Sequence, residues 1–404
     1  MKSEAFLHPQ ALWRQPVFVG LFASTLLMAL GTQIYELALP LIVYELSHSL
    51  QAMSSLRAMS FLPNLLLAVF IGVWVDRVCR RRWAQRSLLL MCGLAGGAAL
   101  ALALHRLPVS WFYPLAFGLM LCQYVTAVCR LGLVKQCVPA AQQLAATSYL
   151  NTLFNVFAVS GPLLSGMVIA LSAPAWGLGL PAMLFMLAAC AMLTVPAMPV
   201  GRAEGRSFIG ELLEGWQALR ANQPLWQLAW LVVVANGAAG VSEVCFIFRA
   251  RDVLGMSSTE LGALFACAGA GGVLAGVLMP RLRARLGLGR IIVGCWLLEA
   301  VGMLALAQLT SPWLLALSQL GYGFVAVCGN VAIWSYRQES SSAQTIGRVA
   351  GLTGSLFKLA MPVSLWLTGV LSHSWPLLEL MLAAVALQGL AALGCACSQV
   401  RGLR

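Results

Sequence analysis

The sequence predicts an all-α integral membrane protein with twelve transmembrane helices in two pseudo-symmetric six-helix bundles. Three observations predict it. Hydrophobic residues make up 60% of the chain and charged residues 9%, with a mean hydropathy of +0.86; a soluble domain carries about 25% charged residues. The apolar residues form membrane-length runs, and 404 residues accommodate roughly twelve spans of about 20 residues with short connections. Lys and Arg gather in alternate connections, which is the positive-inside pattern of polytopic membrane proteins.

Taken in order, the spans run over about 16–46, 52–75, 87–104, 110–134, 147–171, 178–198, 225–248, 258–279, 290–310, 312–336, 348–371 and 376–397. The first run carries no small-residue cleavage site, so it reads as a span and not as a leader. With both termini cytoplasmic, every Lys and Arg lies in an inside segment except Arg57, Arg106, Arg249, Arg251 and Lys358. The net charge of +12 is thereby explained as a topology signal, and no nucleic-acid partner is implied. The twelve cysteines fall almost entirely within apolar runs and form no metal-spaced array. They read as small buried hydrophobes, with no disulfide, metal or other cofactor implied.

One long polar interruption, 199–224, divides the chain into an N-terminal bundle (1–198) and a C-terminal bundle (225–404). Within it Phe208, Leu212, Trp216 and Leu219 recur at helical spacing, predicting an amphipathic helix on the cytoplasmic surface. The two halves repeat each other. Glu36 in the first span matches Glu243 in the seventh, and Gly72 after the second span matches Gly276 after the eighth. Such repetition is expected of a carrier built from two related bundles.

Directly after the second apolar run stands Gly72-Val-Trp-Val-Asp76-Arg77-Val-Cys-Arg80-Arg81-Arg82. It resembles the loop between helices two and three of the major facilitator superfamily, with Cys79 where that family usually has Gly. The resemblance implies a gating loop of Gly72, Asp76, Arg77, Arg80 and Arg81, with the acid facing the start of the eleventh helix near Gly347-Arg348. The positive pole of a helix N-terminus favours an anion, and Arg348 adds to it. Gly276-Val-Leu-Met-Pro280-Arg281-Leu-Arg283-Ala-Arg285 reads as a decayed second copy of the loop.

In the fifth span, Gly161-Pro162-Leu-Leu-Ser165-Gly166 resembles the helix-five motif of the drug–proton antiporters of that superfamily, with Ser165 replacing a Gly; close helix packing is the alternative reading. Phe208–Arg220 and Ile346–Gly351 resemble the bacterial macrolide-efflux and enterobactin-exporter group. The function implied is secondary active export of a small amphipathic molecule against protons across the bacterial inner membrane by a monomer. An anionic cargo such as a siderophore is expected first. A multidrug or macrolide pump, a lipid carrier and a non-transporting sensor are the alternatives.

Ionisable residues within spans cost about 2.5–3.5 kcal/mol each on insertion scales, so they are candidates for function. Glu36, Glu243 and Glu299 are the proton-coupling candidates, with Glu36 placed to pair with Arg57 and Glu299 expected in packing or behind the residues that touch the substrate, not in contact with it. The cavity candidates are Arg57, Gln123, Tyr124, Asn151, Asn155, Asn236, Gln319, Tyr322 and Lys358; Lys358 sits near the membrane midplane. Arg57, Lys358, Arg130 and Arg249 together favour an anionic ligand. Gly272 and Gly276 read as a helix-packing pair. No nucleotide-binding loop or dinucleotide fingerprint is present, so neither ATP drive nor an enzyme is expected.

Overall fold

The computed structural model describes residues 9–67, 70–71, 74–75, 77–139, 142–171, 174–197, 208–340 and 346–403. Among them the chain is helical throughout its ordered elements, without a strand. The helices are α1 (Pro16–Ser47), α2 (Leu50–Leu66), α3 (Arg80–Ala103), α4 (Phe112–Cys137), α5 (Gln143–Leu171), α6 (Trp176–Ala191) and α7 (Phe208–Ala221). They are followed by α8 (Gln223–Phe248), α9 (Ser258–Leu286), α10 (Leu288–Gln308), α11 (Pro312–Ser340), α12 (Ile346–Leu356), α13 (Ala360–Leu371) and α14 (Leu377–Cys397). Ten spans among the described residues are long and apolar enough to cross a membrane; α2 and α5 occupy the positions of the other two predicted spans. Large apolar side chains such as Leu90, Leu100, Met183, Val301, Leu317 and Leu390 stand exposed along these helices. In water that surface would be a liability, and in a bilayer it is the lipid-facing side.

Contacts group the chain into two compact units, Met1–Ile42 with Leu66–Glu204, and Val43–Leu65 with Gly205–Arg404. In the first, α3 packs against α4 and α6, and α1 lies close to α5 and α6. Ser165 Oγ of α5 donates to the Ile34 carbonyl at 2.8 Å, and Gly31 faces the Phe185 ring. In the second, α8, α10, α11 and α14 share a core that includes Leu228, Val232, Ile292, Trp296, Cys328, Ala332, Ala391 and Cys395. The close pair of glycines there is Gly271 and Gly323: a Cβ on either would strike backbone of the facing helix, at Leu320 or Ala268. This corrects the predicted Gly272–Gly276 pair. Gly272 does face α11 through Val327, but a Cβ at Gly276 would meet nothing within 4 Å.

Helix limits differ from expectation where charge follows an apolar run. Arg80, Arg81, Arg82 and Arg86, predicted in a loop, form the first two turns of α3. Pro280, Arg281, Arg283 and Arg285, expected in a second copy of that loop, continue α9. Arginine is a good helix former, and its long stem lets the charge reach water from a helical backbone. Gly287, at φ 75°, then turns the chain directly into α10. The amphipathic helix expected in the linker is found as α7. Its Leu219 is fully buried with Leu225 and Val349, and Trp216 meets Trp226 edge to face at 5.0 Å, so this face rests on protein.

Candidate functional site

The eleventh span is interrupted in its middle. Residues 357–359 leave the α-helix between α12 and α13, and the cause is local. Pro362 has no N–H to give to the carbonyl four residues back, and its ring crowds that carbonyl. The backbone tightens instead: Lys358 N–H bonds the Ser355 carbonyl at 3.2 Å, and Met361 N–H bonds the Lys358 carbonyl at 3.2 Å. The Phe357 carbonyl, freed from the helix, accepts from Asn236 Nδ2 of α8 at 2.8 Å. Lys358 therefore sits at a break, and α13 begins two residues after it. In carriers, discontinuous helices of this kind form substrate and ion sites near the midplane.

Two adjoining cavities lie in the same unit. The larger, about 280 Å³, is lined by residues including Ser242, Glu243, Phe246, Phe265, Gln319 and Tyr322. The smaller, about 120 Å³, is lined by residues including Asn236, Trp296, Glu299, Tyr322 and Asn330. Ala239 and Tyr322 border both. The larger is close to the lower end of the 300–1,000 Å³ usual for small-molecule sites, with the expected mix of aromatic walls and a few polar groups. The smaller has room for a few waters, at roughly 30 Å³ each. Three predicted residues on α8 and α11, namely Asn236, Gln319 and Tyr322, thus meet in one place, joined by Asn330, Glu243 and Glu299. Glu299, one of the proton-coupling candidates, borders the smaller chamber and accepts from Gln388 Nε2 of α14 at 2.6 Å.

The predicted cations are largely engaged. Arg57 forms an ion pair with Glu243. Arg249, buried at the end of α8, donates to the carbonyls of Leu306 at 3.2 Å and Leu309 at 2.8 Å. It closes the C-terminus of α10, where a cation is favoured by the helix dipole. A further cluster was not singled out by the sequence: Arg251 pairs with Glu45, and Tyr44 donates to Asp252 at 3.2 Å. Gln51 meets His373 at 2.8 Å.

In the other unit, Tyr35 donates to Gln123 Oε1 at 2.7 Å, and Gln123 Nε2 donates to Glu36 Oε1 at 3.4 Å. Glu36 is thus hydrogen-bonded from α4, and Tyr124, next to Gln123 in sequence, is half-buried. Gly161 of the helix-five motif faces α1, where a Cβ would lie 2.5 Å from Gln33 Cβ. Among the gating-loop residues, Arg81 donates to the carbonyls of Met192 at 3.3 Å and Leu193 at 3.5 Å. Arg80 lies across Gly132 of α4, and Arg77 is exposed. Gly72 and Asp76 lie outside the described residues, as do the surroundings of Gly166 and the side chains of Asn151, Asn155, Pro162 and Arg348.

The residues missed from sequence are chiefly partners: Gln388, Asp252, Glu45, and the aromatic walls Phe246, Phe265 and Trp296. Gln388 carried a signal, since a glutamine inside the apolar twelfth span needs a hydrogen-bonding partner. The aromatic walls carried none beyond their hydrophobicity.

Known proteins give this geometry its context. An enterobactin exporter of Shigella boydii serotype 4 (strain Sb227) is 22% identical over 366 residues, covering 87% of this chain and 84% of that protein. Its counterpart in Shigella dysenteriae serotype 1 (strain Sd197) is 22% identical over 361 residues, with coverage of 87% and 84%. A bacterial homologue of the iron transporter ferroportin, in its inward-facing state, superposes with a TM-score of 0.72 at 16% identity, over 95% of this chain and 99% of that one. A bacterial homologue of the human lysosomal transporter Spinster, inward-facing and occupied, gives 0.75 at 14% identity, over 95% and 96%. These solved structures share the fold. The family description that matches residues 21–365 is the Major Facilitator Superfamily, and on that match this multi-pass membrane protein belongs to that superfamily of small-molecule transporters.

Proposed function

We propose that this chain exports a small, amphipathic, oxygen-rich anion of the siderophore class across the bacterial inner membrane in exchange for protons. It works as a monomer with cytoplasmic termini, through two functional halves, 1–198 and 225–404, joined by the 199–224 linker. The cargo is moved without chemical conversion, and Gly72, Asp76, Arg77, Arg80, Arg81 and Arg348 serve as the gating set. One observation carries the reading: the resemblance to enterobactin exporters extends over 87% of the chain. The broken span supports it, because Lys358 and the N-terminus of α13 place a cation and the positive pole of a half-helix together, a combination that favours an anionic group.

A second reading, efflux of lipophilic cations, is favoured by the cavity walls. Both cavities carry a carboxyl group, Glu243 or Glu299, while Arg57 and Arg249 are engaged with protein groups. Deletion in the native host separates the two. Loss of secreted iron chelator, with drug resistance intact, supports siderophore export. Unchanged secretion with lost resistance to lipophilic cations turns the assignment to drug efflux.

A further inference from the structure

Glu299 has an environment built around it that packing does not require. It lies in the middle of α10, only 8% exposed, and its neighbour Gln388 is fully buried. A carboxylate buried away from water is costly unless it is paired or hydrogen-bonded. Among the described residues no cation pairs with Glu299; its direct partner is the Gln388 amide. The titratable groups facing it are few. Cys295 on its own helix and Cys328 of α11 are hydrogen-bonded to each other, and Tyr322 of α11 lies across the chamber. From α8 the chamber receives Asn236, with Glu243 beyond Tyr322 in the larger cavity. α14 adds Cys395, about two turns from Gln388 and buried in the core. No residue of α9 lines the chamber. Arg290 and Arg401 belong to the start of α10 and the C-terminal turn, more than two helical turns away along the axis.

The Gln388 amide is suited to both charge states of a carboxyl. Its NH₂ donates to a carboxylate, and its oxygen accepts from a carboxylic acid O–H; half a turn about the terminal bond exchanges them. That oxygen, Oε1, is buried and has no hydrogen-bond partner. Rotation would give it one when Glu299 is protonated. The 2.6 Å separation fits an O–H···O bond, about 2.5–3.0 Å, as well as a short charge-assisted N–H···O⁻ bond. The chamber beside Glu299 has room for water, and Tyr322 borders both it and the larger cavity.

We infer that Glu299 is the proton-binding group of this carrier, that Gln388 is a positioning residue holding its carboxyl in both charge states, and that Tyr322 passes protons between the chamber and the larger cavity. This rests on the proton-coupled reading above and names its coupling group. The step is a simple transfer: a proton taken from water on one side converts the carboxylate to the neutral acid, and the same proton leaves to water on the other. No other reactant is needed.

The test needs no cargo. Wild-type protein in liposomes is titrated from acid to alkaline pH while the carboxyl stretching band is followed by infrared difference spectroscopy. The wild type shows a pH-dependent band from a buried carboxyl, which Glu299→Gln removes and Glu243→Gln retains. Gln388→Leu keeps the band but moves its midpoint by about one pH unit. Glu299→Asp, which keeps the acid, serves if Glu299→Gln does not fold: its band must persist at a changed frequency. A band unaltered in Glu299→Gln or Glu299→Asp overturns the assignment, and an unmoved midpoint in Gln388→Leu overturns the positioning role. If Glu299 titrates but the wild type moves no enterobactin under a pH gradient, the export reading fails alone. If gradient-driven movement survives in Glu299→Gln, the coupling site fails alone.

Discussion

Asn236 gives its amide to the Phe357 carbonyl at 2.8 Å, and that bond takes over from the one a continuous helix would have made. Replacing Asn236 with Ala leaves a carbonyl without its partner, at a cost of about 1–3 kcal/mol for an unsatisfied buried group. The thermal unfolding midpoint of the detergent-solubilised protein should fall accordingly; an unchanged midpoint would remove Asn236 from this role. Polar residues within spans were legible in the sequence, because each is expensive in lipid and few are present. Their partners were not. Arg249 was read as a cation available to cargo, yet it meets the carbonyls of Leu306 and Leu309, a docking that depends on how α8 lies against α10. Glu299 was recognised as a candidate, but Gln388 was passed over because one amide in an apolar run does not reveal what faces it.

Elements were legible to the extent that hydrophobic length determines them. The break in the eleventh span was not, although Pro362 was visible. A proline inside a helix has two outcomes, and this chain contains both: α9 runs on through Pro280, while α12 and α13 part ahead of Pro362. At the break, Asn236 takes up a freed carbonyl. Ser364 Oγ bonds the Gly237 carbonyl at 3.2 Å, fastening α13 to α8. A break is stable where such replacement partners exist. Pro362→Ala restores the missing donor and is expected to close the helix, slowing hydrogen exchange at the amide of Met361 while lowering transport. Exchange as fast as in the wild type would show that the break has another cause. The basic residues at the end of α9 and the start of α3 behave in a related way: charge marks where the membrane ends, and the helix itself continues.

For the whole molecule, composition and run length sufficed to predict an all-helical, multi-pass protein, and the charged loop identified the superfamily. The grouping of Val43–Leu65 with Gly205–Arg404 was hidden, because it is held by pairs far apart in sequence: Arg57 with Glu243, Arg251 with Glu45, Tyr44 with Asp252 and Gln51 with His373. Neither periodicity nor spacing carries such information. Proton-driven export of a siderophore-class anion is the central claim at this scale, and reconstitution tests it most directly. Purified protein in liposomes loaded with acid is given enterobactin outside, and its accumulation is followed with and without a protonophore. The account predicts uptake that follows the outward proton gradient, disappears with the protonophore and is lost in Glu299→Gln. Absence of enterobactin uptake, alongside gradient-driven accumulation of ethidium by the same vesicles, would contradict it.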